Sequence, residues 1–203
     1  QAVSYEFQNK AGNLLGKNAF RAFLTINGCL APLLIGTAVG TFFTGSEFMV
    51  NKNAVADIGA PVISRWANNW HGLEAVANPF NVEFGLMVMF LAICLGALYM
   101  INNIDDDKLA TQLRKSLLIC FVGFLIMLVL VLINFITMEG FAVDAEGKVF
   151  MEKGKYFHNL IQMPAVLIMF LLGAVLLVTG VVMTLMKKEF RRGIWFATRC
   201  GHL

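Results

Sequence analysis

The sequence predicts an all-α, polytopic membrane protein, a helix bundle with four transmembrane helices, and three observations support this class. Hydrophobic residues make up 58% of the 203 residues and charged residues 14%, whereas soluble domains are about 45–50% apolar and about 25% charged. Four segments of more than 20 residues contain no Asp, Glu, Lys or Arg. These segments are apolar throughout and do not alternate, which excludes a transmembrane β-barrel.

Composition also excludes several soluble classes of protein. Sixteen Lys and Arg against thirteen Asp and Glu leave a net charge of +3, without the clustered basic face of a nucleic-acid-binding domain. A chain with eighteen Phe and eleven Met is neither disordered nor a small secreted module held together by disulfides. We therefore expect membrane lipid around the chain and no nucleic-acid partner.

The four uncharged segments define the predicted spans, because about 20 apolar residues cross the hydrocarbon core as a helix. Spans A to D are predicted at 22–43, 84–104, 116–138 and 161–186. The other segments are a leading segment at 1–21, outer loops at 44–83 and 139–160, and a tail at 187–203.

The distribution of Lys and Arg predicts that both chain ends lie in the cytoplasm. The leading segment, the loop between spans B and C, and the tail carry eleven of these residues, and the two outer loops carry five. The eleven are Lys10, Lys17, Arg21, Lys108, Arg114, Lys115, Lys187, Lys188, Arg191, Arg192 and Arg199, and the five are Lys52, Arg65, Lys148, Lys153 and Lys155.

The two ends indicate an internal piece of a longer polytopic protein. The chain opens at Gln1 with neither an initiating Met nor a signal peptide. Near the other end, Gly193-Ile194-Trp195-Phe196 begins an apolar helical pattern that then stops. We expect the tail to be truncated, and a short polar tail is the alternative.

The first outer loop contains two candidate interfacial anchors, Trp66 and Trp70. With Leu73 and Ala77 they recur at i, i+4, i+7 and i+11, which favours a short helix lying at the membrane surface with both indole rings at headgroup depth. A plain surface loop with two anchoring tryptophans and a quinol-binding lid are the alternatives. Asn78-Pro79 then supplies an N-cap and a first-turn proline for span B.

Small residues predict where helices pack closely. Span A contains Gly36 and Gly40, and span B contains Ala92 and Gly96. This small-xxx-small spacing allows another helix backbone to approach. These four residues are the candidate helix-packing positions.

The sequence contains few residues in patterns that indicate catalytic or metal-binding chemistry. No span contains a carboxylate or a histidine, although such groups usually carry proton relays inside membranes. Asn27 and Asn134 are explained by hydrogen bonds between helices. The histidines (His71, His158 and His202) and the cysteines (Cys29, Cys94, Cys120 and Cys200) have no metal-ligand spacing. The acidic run Asp105-Asp106-Asp107 is interpreted as a solvated turn on which nothing else converges, so we name no catalytic and no metal residue.

Three segments resemble subunit II of cytochrome bd quinol oxidase. Ala2-Val3-Ser4-Tyr5-Glu6-Phe7 is similar to the V-S-F-E-F segment after that family's third helix. The run from Asn27 to Gly36, continued to Gly45, resembles its next helix, with the pattern G-S-x-x-P-x-L-x-x-G. Asn78-Pro79-Phe80 matches the N-P-F that precedes the following span. The three matches occur in order, and Tyr5-Glu6-Phe7-Gln8 resembles the divergent form of Bacteroidetes-type bacteria.

The resemblance implies a function that the residues alone do not reveal. The chain would correspond to the fourth to seventh of about nine helices of a haem-free subunit in the bacterial inner membrane. The oxidase takes electrons from the quinone pool and reduces dioxygen to water in a respiratory chain. The resemblance implies that haem b and haem d belong to subunit I, which subunit II stabilises, and a structural quinone or lipid on subunit II is compatible with it. The family's acidic residues implicated in proton entry lie upstream of Gln1, so no catalytic residue is transferred, and no cofactor-binding residue is assigned.

Two alternatives come from other classes of protein. A fragment of a secondary transporter would be expected to show an intramembrane ionisable residue or an inverted repeat around a broken helix. A membrane scaffold without enzymatic activity is compatible with the composition alone. Copurification with a haem-bearing partner distinguishes both from an oxidase subunit.

Overall fold

A computed structural model describes residues 2–10, 12–51, 63–144, 146–187 and 189–198. The described residues form α-helices, one 3-10 helix and two short antiparallel sheets. The helices are α1 (Ala2–Phe7), α2 (Gly16–Thr44), α3 (Pro79–Asn103), α4 (Asp107–Thr137), α5 (Lys155–Gln162), α6 (Pro164–Met186) and α7 (Gly193–Thr198), and the 3-10 helix is Leu73–Ala77. The strands are β1 (Phe48–Val50), β2 (Ser64–Trp66), β3 (Glu139–Val143) and β4 (Val149–Lys153).

Four of these helices are long and apolar enough to cross a membrane, which confirms the all-α polytopic fold class. They are α2, α3, α4 and α6, with 29, 25, 31 and 23 residues. At about 1.5 Å of rise per residue, even the shortest spans the ~30 Å hydrocarbon core. Exposed Leu, Ile, Val and Phe side chains cover much of their length, as expected for surfaces that face lipid.

The helices do not end where the uncharged spans end, because helical hydrogen bonding continues through charged residues outside the hydrocarbon core. α4 begins at Asp107, where Asp106 accepts hydrogen bonds from the backbone N–H groups of Lys108 and Leu109. Span D is divided in the structure: α5 ends at Gln162 and α6 begins with Pro164. Proline has no N–H to donate and favours the first turn of a helix, so it opens α6.

The loop around the two tryptophans is not the single helix that the Trp66–Ala77 spacing predicts. Trp66 pairs with Phe48 across β1 and β2, and Gly72 adopts a left-handed backbone with φ 94°. That conformation interrupts an α-helix, so only the 3-10 helix remains at the end of the loop. Trp66 and Trp70 are both exposed, and their anchoring role stays a prediction.

Contacts divide the chain into two compact units, residues 1–86 and 87–203. In the first unit, the rings of Phe43, Phe80 and Phe84 lie within 6.2 Å of one another, centre to centre. In the second unit, the core is formed by α3, α4, α6 and α7. Its most deeply buried apolar side chains are Leu98, Ile101, Leu117 and Val181.

Candidate functional site

In the first unit, a buried asparagine joins the end of α2 to the start of α3. Asn81 is 1% exposed. The Thr44 hydroxyl donates to Asn81 Oδ1 at 2.9 Å, and Asn81 Nδ2 donates to the Ala75 carbonyl oxygen at 3.1 Å. Asn78 Oδ1 accepts from the Phe80 N–H at 3.0 Å, which confirms the predicted cap of this helix. Asn81 is not among the residues predicted from the sequence, although its place one turn after the Asn78-Pro79 cap was a usable signal.

Gly40, one of the two predicted packing residues of α2, lies in this contact, and the packing role of Gly36 stays a prediction. Gly36 and Gly40 are buried, and a Cβ on Gly40 would lie 2.7 Å from Asn81 Oδ1 and 2.9 Å from Asn81 Cα. A Cβ on Gly85 would likewise lie 2.5 Å from Thr37 Oγ1 and 2.6 Å from the Leu33 carbonyl oxygen. The glycine of α3 that approaches α2 is therefore Gly85.

The other two predicted packing residues are not brought to that contact. Ala92 and Gly96 are exposed on α3. A Cβ on Gly96 would meet no atom of the described residues within 4 Å. Their role in packing stays a prediction. A helix that packs against them would belong to another chain or to a segment outside the described residues.

A polar cavity of about 430 Å³ lies beside Asn81. Thr44, Glu47, Glu74 and Asn78 also line it. Glu74 Oε2 accepts from the Gly72 N–H at 2.9 Å, whereas its buried Oε1 has no hydrogen-bond partner among the described residues. None of the described residues form a cluster of three or more His, Cys, Asp or Glu side chains that could bind a metal ion. The cavity is suited to water or a small polar group.

In the second unit, Arg191 binds the acidic run between α3 and α4. Its guanidinium lies 2.6 Å from Asp105 Oδ1 and 2.9 Å from Asp107 Oδ1, and it donates to the Ile104 carbonyl oxygen at 3.1 Å. The expectation that nothing converges on Asp105–Asp107 is therefore wrong. Sequence alone did not reveal the contact because 84 or more residues separate the partners.

Helix α7 packs against α6 through two glycines. A Cβ on Gly180 would lie 2.6 Å from the Gly193 carbonyl oxygen, and a Cβ on Gly193 would clash with the Thr184 hydroxyl. Arg114 of α4 donates from Nε to the Thr184 carbonyl oxygen at 3.0 Å. The apolar pattern predicted from Gly193 onward therefore corresponds to a short helix whose Gly193, Ile194 and Ala197 are buried.

An apolar cavity of about 690 Å³ lies among α3, α4, α6 and α7. Leucine and phenylalanine side chains dominate its walls, and Gly173 and Ala174 leave space on the α6 side. Thr198 is the one polar side chain among the described residues that line it. A cavity of this size and polarity suits a hydrocarbon chain.

Side chains of the types that can ligate haem are distributed over several parts of the chain. An axial ligand would be a His, Met or Cys side chain presented to a cavity. His71 and His158 lie outside the four long helices, His202 and Cys200 lie outside the described residues, and Met169 is the one such side chain lining the apolar cavity. Cys29 lies in α2, Cys94 in α3 and Cys120 in α4.

The hydrogen bonds between helices predicted for the two intramembrane amides stay a prediction. Asn134 Nδ2 donates to the Leu130 carbonyl oxygen, one turn back in α4, at 3.2 Å. Asn27 is exposed on α2. Neither lines one of the two cavities described above.

His158 instead joins a charged cluster beside α5. Its Nδ1 lies 3.1 Å from Glu152 Oε1, and Lys155 Nζ donates to Glu152 Oε2 at 2.8 Å. The hydrogen bond from Lys155, with that from His158, lowers the pKa of the Glu152 carboxyl below its ordinary value of 4.5. The cluster fastens α5 to β4.

Comparison with known proteins identifies the family of the chain. The model of the family described as cytochrome bd terminal oxidase subunit II matches residues 1–202. A comparison with individually curated proteins gives no significant match.

Proposed function

The chain belongs to the cytochrome bd terminal oxidase subunit II family, and from this we propose that it is the haem-free subunit that stabilises a haem-bearing subunit I. Membership makes it a multi-pass membrane component of a quinol oxidase complex in a respiratory chain. The family match favours an oxidase subunit over the transporter and scaffold alternatives. The observation that carries the proposal is the family match over nearly the whole chain, together with the four apolar helices.

In the proposed complex, subunit I holds haem b and haem d, oxidises membrane quinol and reduces dioxygen to water. The positions of the histidines support this division, because His71 and His158 lie outside the four long helices. In this division of roles, the chain contributes a contact surface that stabilises subunit I. We propose no catalytic residue in it.

The proposed orientation places both chain ends in the cytoplasm. Under this orientation the Arg191–Asp105 contact lies on the cytoplasmic side, and Asn81, the polar cavity and the β3–β4 hairpin lie outside. The excess of Lys and Arg in the leading segment, the α3–α4 turn and the tail supports it.

We further propose that the apolar cavity holds the isoprenoid tail of a structural quinone. Its walls offer apolar side chains almost throughout, with Phe124, Met169 and Phe170 among them. Burying apolar surface contributes roughly 25 cal/mol per Å², so a long hydrocarbon chain binds without specific polar contacts. An acyl chain of a phospholipid has the same chemistry, and an analysis of the bound molecule distinguishes the two.

Purification of the affinity-tagged full-length protein in mild detergent tests the main proposal. We expect haem b and haem d bands in the reduced-minus-oxidised spectrum and a second large membrane subunit. Single substitutions of His71, His158, His202 and Met169 should leave the haem content per complex unchanged. A preparation without haem and partner would contradict the oxidase assignment, and loss of haem in one of these variants would contradict the haem-free assignment.

Extraction of the same complex tests the cavity. Ala174→Leu narrows it from the α6 side, and we expect it to lower the amount of bound quinone per complex. Ala165→Leu, on the same helix but exposed and outside the cavity lining, is the matched control. Equal quinone content in both variants would reject this site, and a phospholipid in place of quinone would assign the cavity to lipid.

A further inference from the structure

The β3–β4 hairpin presents an apolar face that this chain does not cover. Because side chains alternate along a strand, the pairs Phe141–Met151 and Val143–Val149 lie on one face of the hairpin. Phe141 is 76% exposed, Val143 68%, Val149 64% and Met151 52%. Four large apolar side chains side by side in water are unfavourable, and such patches mark interaction surfaces.

The opposite face of the hairpin is fastened to the protein. Gly140 and Ala142 are buried there, and a Cβ on Gly140 would lie 2.9 Å from Lys155 Cβ at the start of α5. Glu152 lies on this same face and binds Lys155 and His158 of α5. These contacts fix which face points away from the protein.

Helix α5 continues the apolar exposure toward the membrane. Phe157 and Ile161, four residues apart and so on one side of the helix, are both exposed. The other side packs inward, where the Tyr156 ring meets Phe135 of α4 edge to face at 5.8 Å. After α5, the exposed Met163 leads into α6, which is a membrane-crossing helix.

We propose that the apolar face of the hairpin and the Phe157–Ile161 side of α5 form one surface that inserts into the lipid headgroup region. The hairpin and α5 connect α4 to α6, so they lie where these two helices leave the bilayer. The apolar exposure is continuous along the chain with the start of α6. Amphipathic segments of this kind bury their apolar side chains about 5–10 Å into the boundary between headgroups and acyl chains.

The borders of the hairpin face fit a lipid surface. Glu139 faces Lys153 at the base of the hairpin, and Lys148 lies 3.1 Å from Glu146 at its tip. The charged groups can therefore remain hydrated while the middle of the hairpin enters the interface. The four side chains of the hairpin, with Phe157 and Ile161, are a small area beside the roughly 800 Å² per partner of a specific protein interface, whereas insertion into lipid has no such minimum.

Two matched substitutions on the hairpin test the proposal in the intact complex. Phe141→Trp places an indole on the apolar face, and Phe150→Trp places one on the opposite face, where Phe150 is 48% exposed. The complexes are reconstituted in phosphatidylcholine–phosphatidylglycerol vesicles with or without phosphatidylcholine brominated near the headgroup. The fluorescence of the parent complex, which has its own tryptophans, is subtracted from that of each variant, and the difference reports the added indole.

We expect brominated lipid to quench the added fluorescence of Phe141→Trp at least about twofold more strongly than that of Phe150→Trp. Met151→Trp, on the apolar face beside Phe141, should behave like Phe141→Trp and serves as the second variant if one fails to assemble. Equal quenching on the two faces would overturn the proposal. A blue-shifted but unquenched indole at 141 would also overturn it and assign the face to a protein partner.

Discussion

Two contacts at the ends of long helices depend on glycine, one in each unit. They differ in which atoms occupy the space that a side chain on the glycine would need. In the first unit, the atom nearest to a Cβ on Gly40 of α2 would be Oδ1 of the Asn81 side chain, with Asn81 Cα next. In the second unit, Gly180 of α6 and Gly193 of α7 bring two backbones together. A side chain can adjust by rotating, but a backbone segment moves only with its helix. The second contact is therefore the more sensitive to added volume.

The largest effect is expected at the backbone contact. Gly180→Val places side-chain atoms where the Gly193 carbonyl oxygen lies 2.6 Å from a Cβ, and we expect displacement of α7 at a cost of about 3 kcal/mol or more. Thermal unfolding of the purified complex and its yield measure this cost. Gly28→Val, where a Cβ would meet no described atom within 4 Å, is the matched control. Equal stability of the two variants would show that α7 is not held as described.

A smaller effect is expected at the side-chain contact. Asn81→Ala removes the acceptor of the Thr44 hydroxyl and the donor to the Ala75 carbonyl oxygen, which should cost about 1–3 kcal/mol. Gly40→Ala alone should also destabilise, because a Cβ there lies 2.7 Å from Asn81 Oδ1.

The double variant Asn81→Ala, Gly40→Ala sharpens that comparison. It should lose less stability than the sum of the two single variants, because the Asn81 side-chain atoms that crowd Gly40 are gone. Part of the cost should persist, because Asn81 Cα lies 2.9 Å from the same position. Strict additivity in thermal unfolding would show that the two residues do not interact.

Substitution of Arg191 should have a weaker and salt-dependent effect. Its two carboxylate partners are exposed, so water and salt screen most of the attraction. Arg191→Gln should lower the melting temperature slightly in low salt and not measurably in high salt. Arg192→Gln is the neighbouring control. A large loss that is independent of salt would mean that the hydrogen bond to the Ile104 carbonyl oxygen dominates.

The smallest effect is expected at Glu152, where a pH dependence follows from its lowered pKa. A carboxyl whose pKa is lower in the folded state stabilises that state above its ordinary pKa of 4.5. This contribution is lost as the pH falls through the folded-state value. Glu152→Gln should therefore flatten the dependence of the melting temperature on pH below 4.5. Glu146→Gln at the exposed hairpin tip is the control, and parallel curves for parent and Glu152→Gln would contradict the assignment.

The amino-acid sequence alone determined the class, the number of spans and the start of α3. These follow from local quantities, because burial in lipid depends on runs of apolar residues and capping depends on neighbours in sequence. Asn78 and Pro79 are an example: cap and first turn are adjacent, and the structure places them as predicted. The resemblance of the first half of the chain likewise identified the family.

Only the tertiary structure decided which small residues meet and which charges pair. Gly40 and Gly96 have equivalent patterns in sequence, yet one lies against Asn81 and the other has no described atom within 4 Å of its Cβ position. Arg191 meets Asp105 across 86 positions of sequence. Such contacts depend on how helices are rotated and placed side by side. A pattern within one helix carries no information about the face that its partner presents.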